Sequence, residues 1–123
     1  MINKGGKTML DNNCLFCKII AGKISSKKVY EDEEILAFED INPQAPVHIL
    51  IIPKEHFSTI AELPPEKTDL VGKLTKAAKQ IAEDKQLNRG YRLVINCKVD
   101  AGQEVYHIHL HLLGGRKFTW PPG

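Results

Sequence analysis

The sequence lacks several features that would assign it to a membrane, secreted or disulfide-rich class. No apolar run approaches the roughly 18 residues needed to cross a bilayer, so we expect no membrane partner. The first residues, MINKGGKTML, lack the apolar core of a secretory signal. Only three cysteines are present, and an odd number argues against a disulfide framework. We therefore expect reduced thiols and a cytoplasmic location.

An excess of charge of one sign is also missing. The formal net charge of the 123 residues is +2, and the densest basic clusters, such as Lys27-Lys28, are two residues long. This distribution excludes an extended nucleic-acid-binding surface. Hydrophobic residues make up 42% and charged residues 26%, a balance typical of one globular domain. We predict a flexible N-terminal extension over residues 1–13 and a single domain over residues 14–123.

The hydrophobic patterns of residues 14–123 predict an α+β fold, with helices on one face of an antiparallel sheet. A short helix is predicted over 16–21, and one long helix from Pro64-Pro65 to about Leu87. Predicted strands cover residues 28–30, 35–39, 48–52, 91–96 and 105–113.

Residues 107–113 read HIHLHLL and hold three of the five histidines. Side chains alternate across a strand, so His107, His109 and His111 are predicted to share one face. Such a row can lie on a solvent-exposed face, can form a polar layer in which the histidines hydrogen-bond to one another, or can bind a structural metal. We favour catalysis, because near neutral pH histidine supplies both a nucleophile and a proton carrier. A phosphate-directed reaction suits the row: the middle imidazole attacks and a flanking one donates a proton.

A catalytic zinc ion is the main alternative, because two alternate histidines plus a third can hold a metal with one open position. The spacing along a strand places His107 and His111 too far apart to share one ion easily.

The loop that precedes the histidine row also suits an anionic substrate. Gly102 would let backbone N–H groups approach a phosphate, and Asn96 offers amide donors.

The row matches every position of His-φ-His-φ-His-φ-φ, where φ is apolar, and here the chain resembles the histidine-triad (HIT) superfamily. The likeness runs from Cys14 to the end of the chain. With its terminal WPPG, the sequence is similar to the Hint branch, the nucleoside phosphoramidases. The segments that carry the resemblance are AFEDINPQAPVHILIIPKEH (37–56), GYRLVIN (90–96), GQEVYHIHLHLLGGR (102–116) and WPPG (120–123).

The resemblance implies a HIT-like fold: a five-stranded antiparallel sheet with one long and one short helix. It also implies a homodimer whose two sheets join into one of ten strands. The implied activity is hydrolysis of adenosine or guanosine 5′-phosphoramidates and of acyl-adenylates such as lysyl-AMP, with AMP, GMP and adenosine as ligands. A nucleotidyl-histidine intermediate is implied, and no cofactor is required for catalysis.

Residue roles also follow from the resemblance. His109 is the implied nucleophile, and His111 the phosphate contact and proton donor. His107 supports the site, and His48 is the additional histidine beside the three. Asp40 matches the acid that binds the ribose hydroxyls.

The remaining implied nucleotide contacts are two groups of residues and two single residues, Glu104 and Trp120. From the residues alone, we would assign the apolar group around the purine to plain core packing and Trp120 to a frayed terminus. The resemblance implies instead that the apolar group surrounds the purine and that Trp120 of the tail reaches toward the partner's site. Glu104 departs from the family, because some Hint proteins have a serine there that contacts the scissile bond, and a carboxylate repels phosphate. The purine group is Leu15, Phe16, Ile19, Phe38 and Ile41, and the phosphate loop is Asn96, Gly102 and Gln103.

Cys14 and Cys17 have C-x-x-C spacing. A redox motif would need a surrounding βαβ pattern, which is missing, and a lone pair is weak evidence for zinc. Some HIT proteins, however, pair this motif with two histidines around a structural zinc. The matching histidines here are His56 and His107, so a structural Zn²⁺ is expected.

Three other functions stay open from the sequence. One is a dinucleoside polyphosphate hydrolase or phosphorylase of the same superfamily. Another is a nucleotide-binding scaffold or sensor with little turnover. The last is a zinc hydrolase with its metal at the three histidines.

Overall fold

A computed structural model describes residue 11 and residues 13–123. Most of the predicted N-terminal extension, residues 1–10 and 12, lies outside the described residues. The elements are helix α1 (Leu15–Ile20), strands β1 (Lys28–Glu31), β2 (Ile35–Glu39) and β3 (Val47–Pro53), helix α2 (Asp69–Asp84), and strands β4 (Tyr91–Val94) and β5 (Leu110–Gly114).

The five strands form one antiparallel sheet in the order β1-β2-β3-β5-β4. This is the predicted α+β arrangement of a five-stranded antiparallel sheet with one long and one short helix. Both faces of its centre are covered, which explains why β3 is apolar along nearly its whole length. Ile49 and Ile51 pack on the α2 side, whereas Leu50 and Ile52 pack on the α1 side. His111 in β5 lies directly opposite Leu50 in β3. Its neighbours in the strand, Leu110 and Leu112, are buried on the α2 side, so the alternation of side chains puts His111 on the α1 side.

The last strand is shorter than predicted. The interval 105–113 was predicted to be continuous, but β5 begins only at Leu110, so His107 and His109 precede it. The reason lies in the neighbouring strand, which ends at Pro53, where no backbone N–H is available to extend the ladder. The N–H of Ile108 instead donates to the carbonyl of Phe57 at 2.8 Å.

The long helix is also shorter than predicted at both ends. Residues Pro65–Lys67 form a separate 3₁₀ turn, and the α-helix runs from Asp69 to Asp84. The buried residues of α2 recur at helical spacing and form an apolar stripe along one side of the helix: Leu70, Leu74, Ala77, Ala78, Ile81 and Ala82. Within the described part of the chain, no helix is both long enough and apolar enough to span a membrane.

Candidate functional site

Four side chains from three separate segments meet beneath α1. Their ligand atoms, the Sγ atoms of Cys14 and Cys17 and the Nδ1 atoms of His56 and His107, all lie within 4.8 Å of one another. The nitrogen–nitrogen distance is 3.1 Å, and the sulfur–nitrogen distances are 3.3–3.6 Å. A tetrahedral zinc has edges of about 3.4 Å between nitrogens and about 3.6 Å between nitrogen and sulfur, from its usual bond lengths. The four residues therefore fit a closed, structural Zn²⁺ site.

The protonation of this cluster suits a metal. The Nε2–H of His107 donates to the carbonyl of Pro53 at 2.7 Å, which leaves the Nδ1 lone pair facing the cysteines. Burial lowers the pKa of His107 to about 4, so its imidazole is neutral at neutral pH. Burial raises the pKa of the Cys17 thiol to about 11, and a thiol in such a place needs a cation to become a thiolate ligand. Cys14 is also the N-cap of α1, so the C-x-x-C spacing spans one helical turn.

His109 adjoins this cluster through the main chain. Its Nδ1–H donates to the carbonyl oxygen of His107 at 2.8 Å, because a carbonyl can only accept. The neutral ring therefore carries its free lone pair on Nε2. Burial lowers the pKa of His109, which keeps the imidazole neutral at neutral pH. Phe16 packs edge-on against the rings of both His107 and His109, with centroids 5.8 Å and 5.1 Å away.

A second hydrogen-bond chain sets the protonation of His111. The backbone N–H of Gln44 donates to Nδ1 of His48 at 3.0 Å, so the proton of neutral His48 is on Nε2. That Nε2–H donates to Nδ1 of His111 at 2.9 Å, which leaves the proton of His111 on its own Nε2. Burial, followed by the neighbouring His109 and His48, lowers the pKa of His111 to about 4. The ring centroids of His109 and His111 lie 4.9 Å apart, so an imidazole with a free lone pair is adjacent to one with an N–H donor.

Asp40 completes this group at the end of β2. Its Oδ1 accepts the N–H of Asn42 at 2.8 Å, and its Oδ2 lies 3.4 Å from Nε2 of His48. The ligand atoms of Asp40, His48 and His111 lie close enough for a metal ion. A metal would need the lone pair of His48 Nε2, however, and the Gln44 amide leaves the proton on that atom. The geometry therefore favours a hydrogen-bond network over a catalytic metal.

The predicted purine contacts divide into buried and exposed residues. Phe16, Ile19 and Phe38 are buried and pack in the core on the α1 side of the sheet. Leu15 is 43% exposed and Ile41 is 99% exposed, so these two have surface to offer a ligand. Trp120 of the tail is exposed as well.

The predicted phosphate loop is held from inside by Gln103. This side chain is buried; its Oε1 accepts the N–H of Lys98 at 2.8 Å, and its Nε2 donates to the carbonyls of Ser58 and Val105. Its carboxamide is thus committed to shaping the loop. Gly102 adopts a left-handed conformation with φ of 83°. Asn96 is half-buried, and Glu104 is exposed.

Two contributors to the site could not be found from residue types. Gln44 acts through its backbone N–H and Pro53 through its carbonyl. Both groups are common to many residue types and leave no signature in a sequence.

A protein-family model, curated proteins and solved structures each match most of this chain. The family model described as "Scavenger mRNA decapping enzyme C-term binding" matches residues 13–118. An uncharacterized HIT-like protein of Synechocystis is 50% identical over 109 residues, covering 89% of this chain and 96% of that protein. The 14 kDa zinc-binding protein of Zea mays is 50% identical over 115 residues, covering 92% and 90%. The crystal structure of a HIT family hydrolase from Legionella pneumophila matches with a TM-score of 0.88 and 55% identity, covering 90% of this chain and all of that one.

Proposed function

The chain belongs to the histidine-triad superfamily, and from that premise we propose that it hydrolyses purine nucleoside 5′-phosphoramidates, with His109 as the nucleophile. One observation carries the proposal. The hydrogen bonds leave a lone pair on Nε2 of His109 and a proton on Nε2 of His111, with the two rings 4.9 Å apart. A phosphoramidate reaction needs such a pair, a nucleophile for phosphorus and a donor for the departing amine.

The reaction has two steps. In the first, Nε2 of His109 bonds to the α-phosphorus, the phosphorus–nitrogen bond of the substrate breaks, and the amine leaves with the Nε2 proton of His111. His109 is then a phosphoimidazolium cation that keeps its Nδ1–H, and His111 is left as an imidazolate whose Nδ1 still accepts the His48 Nε2–H. In the second, water attacks phosphorus and returns a proton to His111, and the bond to His109 breaks. The products are a nucleoside monophosphate and a free amine, and both histidines regain their starting protonation.

The nucleoside is placed by groups around this pair. Asp40 has an oxygen on the His48 side and can accept hydrogen bonds from the ribose hydroxyls. The exposed faces of Leu15 and Ile41 cover the purine, as AMP, GMP or adenosine, and backbone N–H groups near Gly102 meet the phosphate. Glu104 follows that loop, where its negative charge affects which leaving amines are accepted.

The metal site has a structural role next to the reacting pair and takes no part in the two chemical steps. We infer that Cys14, Cys17, His56 and His107 bind Zn²⁺, as the geometry and the zinc-binding relative support. When bound, zinc supplies a cross-link between α1 and the segments at residues 56 and 107. The His107 carbonyl is then a fixed acceptor for His109. Reduced thiols of this kind suit the cytoplasm.

A homodimer is the proposed assembly. β4 is an edge strand of the sheet and exposes Tyr91 and Leu93, at 40% and 38%. Pairing of two such edges would form a ten-stranded sheet and remove an open edge. The exposed Trp120 would then lie at the partner's site.

The direct test is release of AMP from an adenosine phosphoramidate of tryptamine. We expect turnover by the wild-type protein and a loss of at least about 1,000-fold in His109→Ala, as for other lost nucleophiles. Thr75→Ala, on the exposed side of α2, is the matched control and should keep full activity. Rapid quenching should show one nucleotidyl group on the wild-type protein and none on His109→Ala.

The same assay separates the other functions. Faster cleavage of a dinucleoside polyphosphate would favour the polyphosphate hydrolase, and tight AMP binding without turnover would favour a sensor. Turnover by His109→Ala equal to that of the wild type would refute the proposed nucleophile.

A further inference from the structure

Arg116 lies just after β5 and is fixed at three points although it is exposed. Its Nε–H donates to the carbonyl of Gln44 at 3.1 Å, and an Nη1–H donates to the carbonyl of Lys117 at 3.2 Å. The guanidinium carbon lies 4.1 Å from the ring centroid of Phe118, a cation–π distance. A long side chain held in this way has lost the freedom expected of an exposed arginine.

The residue that Arg116 holds is the one that sets the protonation of His48. Gln44 accepts from Arg116 through its carbonyl and donates to His48 through its N–H. The side-chain amide of Gln44 donates to the carbonyl of Asn42, not to His48. Arg116 is therefore joined to His111 by three hydrogen bonds, through Gln44 and His48.

Gly115, the residue before Arg116, packs against the loop that contains Gln44. Gly115 has φ of 89°, and a Cβ built there would lie 2.9 Å from Cβ of Pro46. Only glycine permits this backbone conformation and this approach without strain. Residues 115 and 116 thus contact the Gln44–Pro46 segment from one side, next to the histidine network.

We propose that Arg116 is a positioning residue, which holds the Gln44 N–H on His48 and thereby keeps His111 in its proton-donating tautomer. The inference rests on the proposed function. A pair of neutral imidazoles can share its hydrogen bond in either direction. In the opposite direction Nδ1 of His111 would donate to His48, and Nε2 of His111 would carry a lone pair where the leaving amine needs a proton. The Gln44 N–H excludes that state, because it occupies Nδ1 of His48.

Arg92 provides a matched control. Its guanidinium lies over the same Phe118 ring at 4.9 Å and donates to the carbonyl of Thr119, not of Gln44. Arg116→Gln and Arg92→Gln thus remove the same charge beside the same ring, but only the first breaks the bond to Gln44.

The experiment measures tautomers and kinetics in both variants. Long-range ¹H–¹⁵N spectra of the imidazoles distinguish Nδ1–H from Nε2–H. We expect the tautomer ratio of His48 and His111 to shift five- to tenfold in Arg116→Gln, since a net hydrogen bond of about 1 kcal/mol has that effect. The kcat for the phosphoramidate should fall by up to about fivefold, and by no more than the change in the tautomer ratio, with KM within about twofold, while Arg92→Gln keeps the wild-type tautomer ratio of His48 and His111.

Equal tautomer ratios in Arg116→Gln and Arg92→Gln would overturn the proposal. If Arg116→Gln does not fold, Gln44→Pro removes the same N–H donor from a loop that already holds two prolines, and an unchanged tautomer there would overturn it too. A wild-type protein without turnover would refute the proposed function, and the spectra would still decide the role of Arg116.

Discussion

Nδ1 of His109 lies 2.8 Å from the carbonyl oxygen of His107, whose own imidazole belongs to the Cys₂His₂ cluster. One residue therefore contacts the metal site through its side chain and the proposed nucleophile, His109, through its main chain. Whatever displaces His107 also displaces the acceptor that leaves the lone pair of His109 on Nε2.

Removal of the metal should destabilise the protein and expose two thiols. A strong chelator is expected to lower Tm by roughly 10 °C or more, because metal-binding free energy is folding free energy and a loss of about 3 kcal/mol has that effect. A thiol reagent should then react with Cys14 and Cys17 as well as Cys97. Cys97→Ser, outside the cluster, should show the same drop in Tm. Unchanged Tm and thiol reactivity after chelation would contradict the zinc site.

Stability should fall in mildly acidic solution because of His111. Its pKa in the folded state is about 4, below the ordinary histidine value of 6.5, so the unfolded chain takes up the proton first as the pH falls. The free energy of unfolding is thus expected to decrease from pH 6.5 toward pH 4, with up to about 1.4 kcal/mol per pH unit from this group. Urea unfolding of the wild type and of His111→Gln measures it. An equal slope in the variant would show that His111 does not contribute.

Replacement of Asp40 should affect sugars with and without the 2′ hydroxyl differently. Asp40→Asn keeps an oxygen for the Asn42 N–H but removes the charge, so we expect kcat/KM to fall about 10- to 100-fold for the ribose substrate. The 2′-deoxy substrate should suffer less, because it has already lost one partner of the carboxylate. A double-mutant cycle over residue and sugar measures the coupling. Equal losses on both sugars would place the ribose elsewhere.

The exposed edge of the sheet should determine the oligomeric state. Leu93→Glu puts a charge on β4 in each copy of the chain, so the proposed dimer is expected to dissociate to monomers. Light scattering after gel filtration gives the mass directly. Lys28→Glu, on the opposite edge strand β1, should remain dimeric. A dimer that survives Leu93→Glu but not Lys28→Glu would place the interface at β1.

The sequence predicts the strands where each face has a clear pattern. The apolar run of β3 and the stripe of α2 are direct consequences of burial, and both were predicted. The interval 105–109 alternates like a strand as well, but its ladder partner ends at Pro53, and a local pattern cannot report where a neighbouring strand stops. In the same way, Pro64-Pro65 favours a helix start but does not distinguish a 3₁₀ turn from the first turn of α2.

The candidate site was predictable where side chains define it. Three alternating histidines and a C-x-x-C pair are visible in any reading of the chain. The N–H of Gln44 and the carbonyls of Pro53 and His107 are not, because main-chain groups act without regard to residue type. The tautomers of His48, His109 and His111 depend on those groups, so they could only be read from the structure.

The cluster that joins Cys14 to His107 can be completed only late in the synthesis of the chain. These two residues are 93 positions apart, and the cysteines leave the ribosome long before their histidine partner exists. Four strands and α2 are synthesised after helix α1 and before His107, so the contacts between α1 and the His107 segment form only after them. Metal loading and the final orientation of His109 are therefore late events of biogenesis, and a nascent chain cut short before His107 has two cysteines without a complete site.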